Sequence, residues 1–267
     1  MEGLGNDYIY IDTTRFPIAD PAALSVRLSD RHFGIGSDGL VLIGASSVAD
    51  FSMRIFNADG SEAEMCGNAS RCIAKWVYER GRACRKQLTL ETASGVKTLY
   101  LQVDEQDRVQ EVSVDMGVFR HKPLPACPVV AGQPYEGLFI DMGNPHYVIF
   151  CEDAEQVDVA AIGSVIEHDA LFPEGTNVEF ADVRSPGRIR MRVWERGSGI
   201  TLACGTGACA TLSAACISGR TGSSCELLMD GGTLRVECNP ETGSVRMTGP
   251  ARFVFEGSFD IGDYGQD

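Results

Sequence analysis

The chain has 267 residues, of which 44% are hydrophobic, which is enough for one large domain or two smaller domains with ordinary cores. Its net charge of -14 and its four lysines argue against a nucleic-acid surface, because phosphate backbones are bound by clustered Lys and Arg. The chain has no run of 18 apolar residues, and its first residues lack the basic and apolar regions of a signal peptide. We therefore expect a cytoplasmic protein that binds neither nucleic acid nor membrane.

Short β-rich or alternating segments alternate with turns along both halves of the chain, and they predict strands. In the first half these are 8–12, 39–44, 52–57, 88–93, 97–103 and 111–117. In the second half they are 147–153, 177–183, 189–195, 226–232, 233–238 and 244–249.

One main helix is predicted in each half, directly after a cysteine-glycine turn. The first runs over about 69–80 and ends at Gly81, and the second runs over about 207–218 and ends at Gly219. The second helix, GACATLSAACIS, is apolar on nearly every side and must be surrounded. The pattern predicts an α+β protein in which each half wraps a mixed β-sheet around a central helix.

The two halves are related by an internal repeat. A displacement of 138 residues aligns four motifs without a gap: GN at 5 with GN at 143, MR at 53 with MR at 191, CG at 66 with CG at 204, and GR at 81 with GR at 219. Further along, Val114 and Met116 match Val245 and Met247 at a displacement of 131.

The repeat predicts two homologous domains, residues 1–120 and 121–267, with the tail packing back on the first. Four of the eleven prolines fall within 121–137, so a linker is expected near 117–135. We expect a pseudo-twofold axis to relate the domains and the active site to lie in the cleft between them.

Cys66 and Cys204 are the equivalent cysteines of the repeat, and each stands just before a predicted helix. Unpaired N–H groups and the helix dipole at that end favour an anion, so they lower the pKa of a thiol and can hold a substrate carboxylate. If a pseudo-twofold axis brings the two turns together, the thiols face one another as the acid and base that inversion at a carbon requires. The other eight cysteines are expected to be packing residues: Cys72, Cys84, Cys127, Cys151, Cys209, Cys216, Cys225 and Cys238.

Other cysteine chemistries fit the spacings less well. Disulfides are not expected in a long chain without an export signal, and the pairs Cys66/Cys72 and Cys204/Cys209 are too widely spaced for a zinc knuckle. The chain has no Cys-x-x-Cys motif, none of its four histidines is an obvious partner for a hydrolase cysteine, and no lysine lies in a phosphate cup that would hold pyridoxal phosphate. We expect no metal and no cofactor.

Six segments in order, GLGNDY, RHFGIGSDGL, FNADGSEAEMCGN, GNPH, GTNVEF and ERGSGITLACGTGACA, are similar to those of the diaminopimelate epimerase family over essentially the whole chain. The resemblance implies a cofactor-independent epimerase with two α+β domains, often dimeric, with Cys66 and Cys204 as the acid/base pair. It implies that four turn residues hold the carboxylate at the reacting carbon: Gly67, Asn68, Gly205 and Thr206. It implies that six further residues complete the substrate pocket: Asn6, Asn57, Asn144, Asn177, Glu195 and Arg196.

The repeat indicates which residues recognise the part of the substrate beyond the reacting carbon. Glu195 and Arg196 are polar where the first half has Asn57 and Ala58, and they suit an ammonium and a carboxylate group. A substrate with a second amino-acid end, such as diaminopimelate, fits, and the expected reaction converts the LL form to the meso form for lysine and peptidoglycan synthesis. Two alternatives stay open: a racemase of another amino acid, such as histidine, and a zinc-binding or redox-active thiol protein. The family usually has glycine where this chain has Ala69, and we expect that extra methyl group close to the substrate.

Overall fold

A computed structural model describes residues 1–260 and 262. The chain forms two compact units. Unit 1 contains Met1–Val114 and the described residues from Gly249 onward, and unit 2 contains Asp115–Thr248. Both units combine a mixed sheet with a few helices, so the predicted α+β class is confirmed.

Unit 1 contains eight strands and two helices. In chain order these are β1 (Glu2–Gly3), β2 (Asn6–Asp12), α1 (Pro21–Ser29), β3 (Gly39–Gly44), β4 (Phe51–Asn57), β5 (Glu62–Ala63), α2 (Gly67–Glu79), β6 (Gln87–Thr92), β7 (Gly95–Val103) and β8 (Val109–Val118). The end of β8 already belongs to unit 2.

Unit 2 continues with eleven strands, two α-helices and a short 3₁₀ helix. In chain order these are β9 (Arg120–Lys122), β10 (Val129–Val130), β11 (Gln133–Pro134), β12 (Leu138–Asp141), β13 (Pro145–Phe150), a 3₁₀ helix (Ala154–Gln156), α3 (Val159–Glu167), β14 (Asn177–Ser185), β15 (Arg188–Glu195), β16 (Gly199–Ile200), α4 (Gly205–Ile217), β17 (Ser224–Met229), β18 (Gly232–Cys238) and β19 (Ser244–Gly249).

The two units repeat one pattern of strand pairing. In unit 1, β2 runs parallel to β3 and β4 runs parallel to β6, while the consecutive hairpins are antiparallel. In unit 2, β13 with β14 and β15 with β17 are the corresponding parallel pairs. The register agrees as well, since Tyr8 lies opposite Gly39 and His146 lies opposite Asn177, each 138 residues further on. The internal repeat of the sequence is therefore a repeat of structure.

The final strands correct the predicted slip of the repeat. The hairpins β6–β7 and β17–β18 correspond at a displacement of 137, since Thr92 pairs with Gly95 and Met229 pairs with Gly232. Leu101 is thus the equivalent of Cys238; Leu101 pairs with Val112, and Cys238 pairs with Val245. The pairing of the strands therefore makes Val112, and not Val114, the equivalent of Val245. The predicted displacement of 131 is wrong, and the pairing gives a displacement of 133. The sequence match misleads because alternating hydrophobic strands look alike when moved by two residues.

The central helices begin two residues earlier than predicted, because the cysteines themselves are the N-caps. Cys66 and Cys204 have extended backbone angles, and their sulfur atoms accept from the backbone N–H groups of Ala69 and Gly207. Both helices end where expected, before Gly81 and Gly219, which have left-handed φ angles of 66° and 71°.

Helix α4 is the centre of unit 2. It is buried along almost its whole length and packs on β12–β15, β17 and β18. Its Ala, Gly, Ser and Thr side chains are small enough for strands to approach closely on several sides. Helix α2 packs on β1 and β7 in unit 1.

The outer helices α1 and α3 were not predicted. Each has nine residues, and each is capped by an aspartate, Asp20 or Asp158, whose carboxylate accepts a backbone N–H of the first turn. They cover a second face of the sheet: Leu40 and Leu42 of β3 pack with Leu24 and Leu28 of α1. None of the described helices is long and apolar enough to cross a membrane.

The proline-rich segment 121–137 is folded into unit 2 instead of forming a linker. Strand β9 pairs with β12, and β10 forms a small hairpin with β11. The prolines lie in and around these short strands, where missing N–H donors are tolerated.

Candidate active site

In unit 1, three of the predicted site residues meet at the start of α2. The Sγ atom of Cys66 lies 3.4 Å from Oδ1 of Asn6, to which it donates, and 3.5 Å from the backbone N of Ala69. Nδ2 of Asn68 donates to the same Asn6 oxygen, also at 3.4 Å. Asn6 Oδ1 thus accepts both from the thiol and from the first turn of the helix.

Two charged residues outside the predicted site support this cluster. Asp38 accepts from Asn6 Nδ2 at 2.8 Å, and Arg71 donates to Asn68 Oδ1 at 2.8 Å. Arg71 has no exposed surface, and burial lowers the pKa of its guanidinium group. Asp38 lies in the quoted motif RHFGIGSDGL, and Arg71 follows Asn68 at the i, i+3 helical spacing. That spacing is the one sequence signal that could have found Arg71.

In unit 2, the equivalent cluster is built differently. The Sγ atom of Cys204 lies 3.3 Å from the backbone N of Gly207 and 3.5 Å from Oγ1 of Thr206. Nδ2 of Asn144 donates to the Thr206 hydroxyl oxygen at 3.4 Å. Here a hydroxyl group lies between the asparagine and the thiol.

Behind Asn144 lies a buried pair of ionisable side chains. Nε2 of His146 lies 3.0 Å from Asn144 Oδ1, and Nδ1 of His146 lies 2.6 Å from Oε1 of Glu179. Both side chains are fully buried. No partner for His146 is evident from the sequence, because Glu179 lies 33 residues away, on the neighbouring parallel strand. At the equivalent positions unit 1 has Tyr8 and Val41, so this pair belongs to one half of the repeat.

Glu195 is brought to Cys204 at the end of β15. Its carboxylate accepts from the Thr201 hydroxyl. Burial raises the pKa of Glu195, and the Thr201 hydroxyl and the neighbouring Cys204 thiol oppose that shift.

The pKa of Cys204 moves in the opposite direction from the one predicted. Burial is the largest cause and raises it well above the ordinary value, and the nearby carboxylates of Glu195 and Glu179 raise it further. The hydrogen bonds from Thr206 and the Gly207 backbone lower it by less. The helix N-terminus does lower the pKa of this thiol, but burial and the two carboxylates outweigh that effect, so the net lowering predicted for Cys204 is wrong.

The other predicted site residues lie at strand and helix ends. Asn177 accepts from the Arg196 backbone N–H at 3.0 Å and donates to Pro145, and the Arg196 guanidinium donates to the Glu174 carbonyl oxygen. Asn57 donates to the Ser61 hydroxyl at 3.0 Å. Gly67 and Gly205 are the buried first residues of α2 and α4.

All ten cysteines, each within the described part of the chain, are thiols. Cys72, Cys209, Cys225 and Cys238 are buried, as packing residues should be, but Cys84 is exposed, so its predicted packing role is wrong. Among the described residues, no group of three or more His, Cys, Asp and Glu side chains is arranged to hold a metal ion.

Solved structures with the same fold define its class. A phenazine biosynthesis protein of the PhzF family from Bacillus anthracis superposes with a TM-score of 0.70 at 14% identity, covering 94% of this chain and 92% of that one. A hydroxyproline epimerase from Agrobacterium vitis superposes with a TM-score of 0.67 at 16% identity, covering 93% and 86%. The chain therefore has the fold shared by these epimerase and PhzF structures.

Closer relatives identify the family. The sequence profile of the diaminopimelate epimerase family matches residues 1–122 and 138–254. A diaminopimelate epimerase from Bacteroides thetaiotaomicron is 55% identical, with 97% of this chain and 96% of that one covered. One from Methanococcus maripaludis strain C5 is 46% identical, with 98% of each covered. The chain belongs to the diaminopimelate epimerase family and is an isomerase, which confirms the resemblance.

Proposed function

We propose that this protein converts LL-diaminopimelate to meso-diaminopimelate, with Cys66 and Cys204 as the two acid–base groups. The observation that carries the proposal is the equivalence of the two cysteines. Each is the N-cap of a central helix, each accepts from a first-turn N–H group, and each belongs to a hydrogen-bonded cluster with an equivalent asparagine. A structural cysteine at one turn would not require this arrangement at both.

The reaction needs only proton transfer. One cysteine, as the thiolate, takes the proton from the α-carbon and becomes a thiol, and the electron pair left on that carbon spreads onto the adjacent carboxylate. The other cysteine, as the thiol, gives its proton to the opposite face of the same carbon and becomes a thiolate. The two thiols have then exchanged protonation states, and proton exchange with solvent or a turnover in the reverse direction restores the starting form.

The carboxylate at the reacting carbon would be held by the starts of α2 and α4. The first N–H groups of a helix have no acceptor within the helix, and they attract negative charge. Gly67 and Asn68 begin one helix, and Gly205 and Thr206 begin the other. These donors stabilise the charge that develops during proton abstraction, which is where electrostatic catalysis is most effective.

The end of the substrate away from the reacting carbon would be recognised by the polar residues that differ between the two halves. Glu195 suits an ammonium group and Arg196 suits a carboxylate, and Asn57 and Ala58 stand at their equivalents in unit 1. Asn6, Asn57, Asn144 and Asn177 would complete the pocket. The chemistry requires no cofactor, and we propose a cytoplasmic homodimer that serves lysine and peptidoglycan synthesis.

Turnover assays with a panel of amino acids test the substrate. We expect LL-diaminopimelate to be converted to the meso form by reduced, chelator-treated protein. Conversion of histidine without conversion of diaminopimelate would identify a racemase of a different amino acid. Stoichiometric zinc whose removal unfolds the protein would instead favour the thiol-protein alternative.

A further inference from the structure

We propose that Asp38 and Arg71 are positioning residues that lock the side-chain amide of Asn6 with its oxygen towards the Cys66 thiol. The inference rests on the acid–base role proposed for Cys66. It adds two charged residues that influence whether Cys66 is present as the thiol or as the thiolate.

The four side chains form one directed chain of hydrogen bonds. Arg71 donates to Asn68 Oδ1 at 2.8 Å, Asn68 Nδ2 donates to Asn6 Oδ1 at 3.4 Å, and Asn6 Nδ2 donates to Asp38 at 2.8 Å. Every donor therefore points from the cation towards the anion. The Cys66 thiol is a second donor to Asn6 Oδ1, at 3.4 Å.

The charges at the two ends determine the orientation of both amides. A guanidinium group can only donate, so the Asn68 oxygen must face Arg71 and its NH₂ group must face Asn6. A carboxylate can only accept, so the Asn6 NH₂ group must face Asp38 and its oxygen must face Cys66. Rotating the Asn68 amide would turn its NH₂ group towards the guanidinium group, and rotating the Asn6 amide would turn its oxygen towards the carboxylate, so either rotation would place like partial charges together.

Both ends of the chain are themselves held in place. Arg71 is fully buried and also donates to the Pro250 carbonyl oxygen at 3.0 Å. Asp38 accepts from the Asp7 backbone N–H at 3.1 Å and is paired with Arg31 at 3.1 Å. Burial raises the pKa of the Asp38 carboxyl group, and the hydrogen bonds from Asn6 and the Asp7 backbone, together with the pairing with Arg31, oppose that shift.

This chain is absent from the second half of the repeat. The residues equivalent to Asp38, Asn68 and Arg71 are Thr176, Thr206 and Cys209, none of which supplies a buried charge of either sign. Thr176 donates to the Asn177 carbonyl oxygen instead of holding Asn144. Asn144 is instead held at its Oδ1 by His146, which is paired with Glu179. The two equivalent asparagines are therefore held by different ionisable groups, and the two cysteine sites are chemically different.

The partial negative charge of the Asn6 oxygen affects the protonation of Cys66. An amide oxygen accepts from a thiol but repels a thiolate, so the locked Asn6 favours the protonated, proton-donating form of Cys66. If the Asp38 carboxylate is removed, the Asn6 amide can rotate and present its NH₂ group to Cys66, which favours the thiolate.

The test measures thiolate formation at each cysteine separately and needs no substrate. Full-length protein is treated with iodoacetamide between pH 6 and 10, and the alkylation rates of Cys66 and Cys204 are read from their peptides by mass spectrometry. Asp38→Asn should raise the rate at Cys66 roughly tenfold at pH 7.5, through a lower midpoint of its pH profile, and leave Cys204 unchanged. Asp7→Asn is the matched control, because it removes the other carboxylate bound to Arg31 and keeps Asp38.

A second variant keeps the test possible if Asp38→Asn does not fold. Asp38→Thr copies the residue that unit 2 carries at the equivalent position, and it should shift the Cys66 profile in the same direction. A Cys66 profile identical to wild type in both folded variants would overturn the proposal, and so would an equal shift in Asp7→Asn. Failure of the acid–base role itself would be seen separately, as full turnover by Cys66→Ser.

Discussion

Glu179 and His146 form a fully buried pair in unit 2, with Oε1 of the glutamate 2.6 Å from Nδ1 of the imidazole. The other glutamate oxygen, Oε2, is buried without a hydrogen-bond partner. Removal of one member of such a pair leaves the other polar and buried, which costs about 3–5 kcal/mol. We predict that Glu179→Val or His146→Tyr alone lowers the free energy of unfolding by this amount.

The double variant is the control for that prediction. Glu179→Val combined with His146→Tyr reproduces the residues Val41 and Tyr8 of unit 1, which occupy the same places in the repeat. Urea unfolding should show the double variant losing clearly less stability than the sum of the single variants. Additive losses would show that the two side chains do not act as a pair.

Gly207 is predicted to be intolerant of alanine. A Cβ atom there would lie 2.8 Å from Oε1 of Glu179 and 3.2 Å from the sulfur of Cys204. Gly207→Ala should reduce kcat/KM about 10- to 100-fold, because it displaces the reacting sulfur.

Ala69, the equivalent residue of unit 1, is the matched comparison. Its side chain is fully buried, so its methyl group packs inside the protein and the expectation that it lies close to the substrate is wrong. Ala69→Gly should lower the free energy of unfolding by about 1 kcal/mol, with little change in kcat/KM. Equal effects of the two substitutions on kcat/KM would contradict the claim that the space beside Cys204 matters.

The pH dependence of stability should reveal the raised pKa of Cys204. Its pKa in the folded protein is raised above the ordinary 9.0, first by burial and then by two carboxylates. The stability that the thiol contributes is present below pH 9 and is lost as the pH rises towards the folded pKa, by up to about 1.4 kcal/mol per pH unit.

Urea unfolding of wild type and Cys204→Ala between pH 7 and 10.5 checks this sign. The free energy of unfolding of wild type should fall more steeply above pH 9 than that of the variant. Cys84→Ala, which removes an exposed cysteine, should follow wild type. A Cys204→Ala curve parallel to wild type would show that this thiol does not carry a raised pKa.

If the two thiols serve one α-carbon from opposite faces, as proposed, mild oxidation should join them in a disulfide and inactivate the enzyme reversibly. Hydrogen peroxide takes two protons and two electrons from the thiols and is reduced to water. We predict loss of turnover, a linked Cys66–Cys204 peptide pair by mass spectrometry, and recovery with dithiothreitol. Oxidised protein that contains this linkage and keeps full activity would contradict the two-thiol mechanism.

The repeat was the part of the structure most accessible from the sequence. Identical motifs at a constant displacement predicted that the strands and the central helix of one half match those of the other, because the two halves of a duplicated chain have similar sequences and form similar elements. The helices α1 and α3 escaped prediction because they are short and their apolar patterns are brief. Their capping aspartates, Asp20 and Asp158, were the available signals.

The electrostatics of the site could not be predicted from the sequence. The helix N-terminus at Cys204 correctly indicates donors around the sulfur, but burial and the carboxylates of Glu195 and Glu179, which come from two other strands, outweigh those donors. Asp38, Arg71 and Glu179 escaped notice for the same reason, since their importance arises from burial and from partners distant in sequence.

Solvent deuterium incorporation tests the two-thiol mechanism most directly. Wild type, Cys66→Ser and Cys204→Ser are incubated with LL-diaminopimelate in deuterium oxide, and deuterium at the α-carbon is followed together with conversion to the meso form. Wild type should place deuterium on the inverted carbon, and both variants should lose turnover by several orders of magnitude. Undiminished exchange and full turnover in both variants would contradict the mechanism.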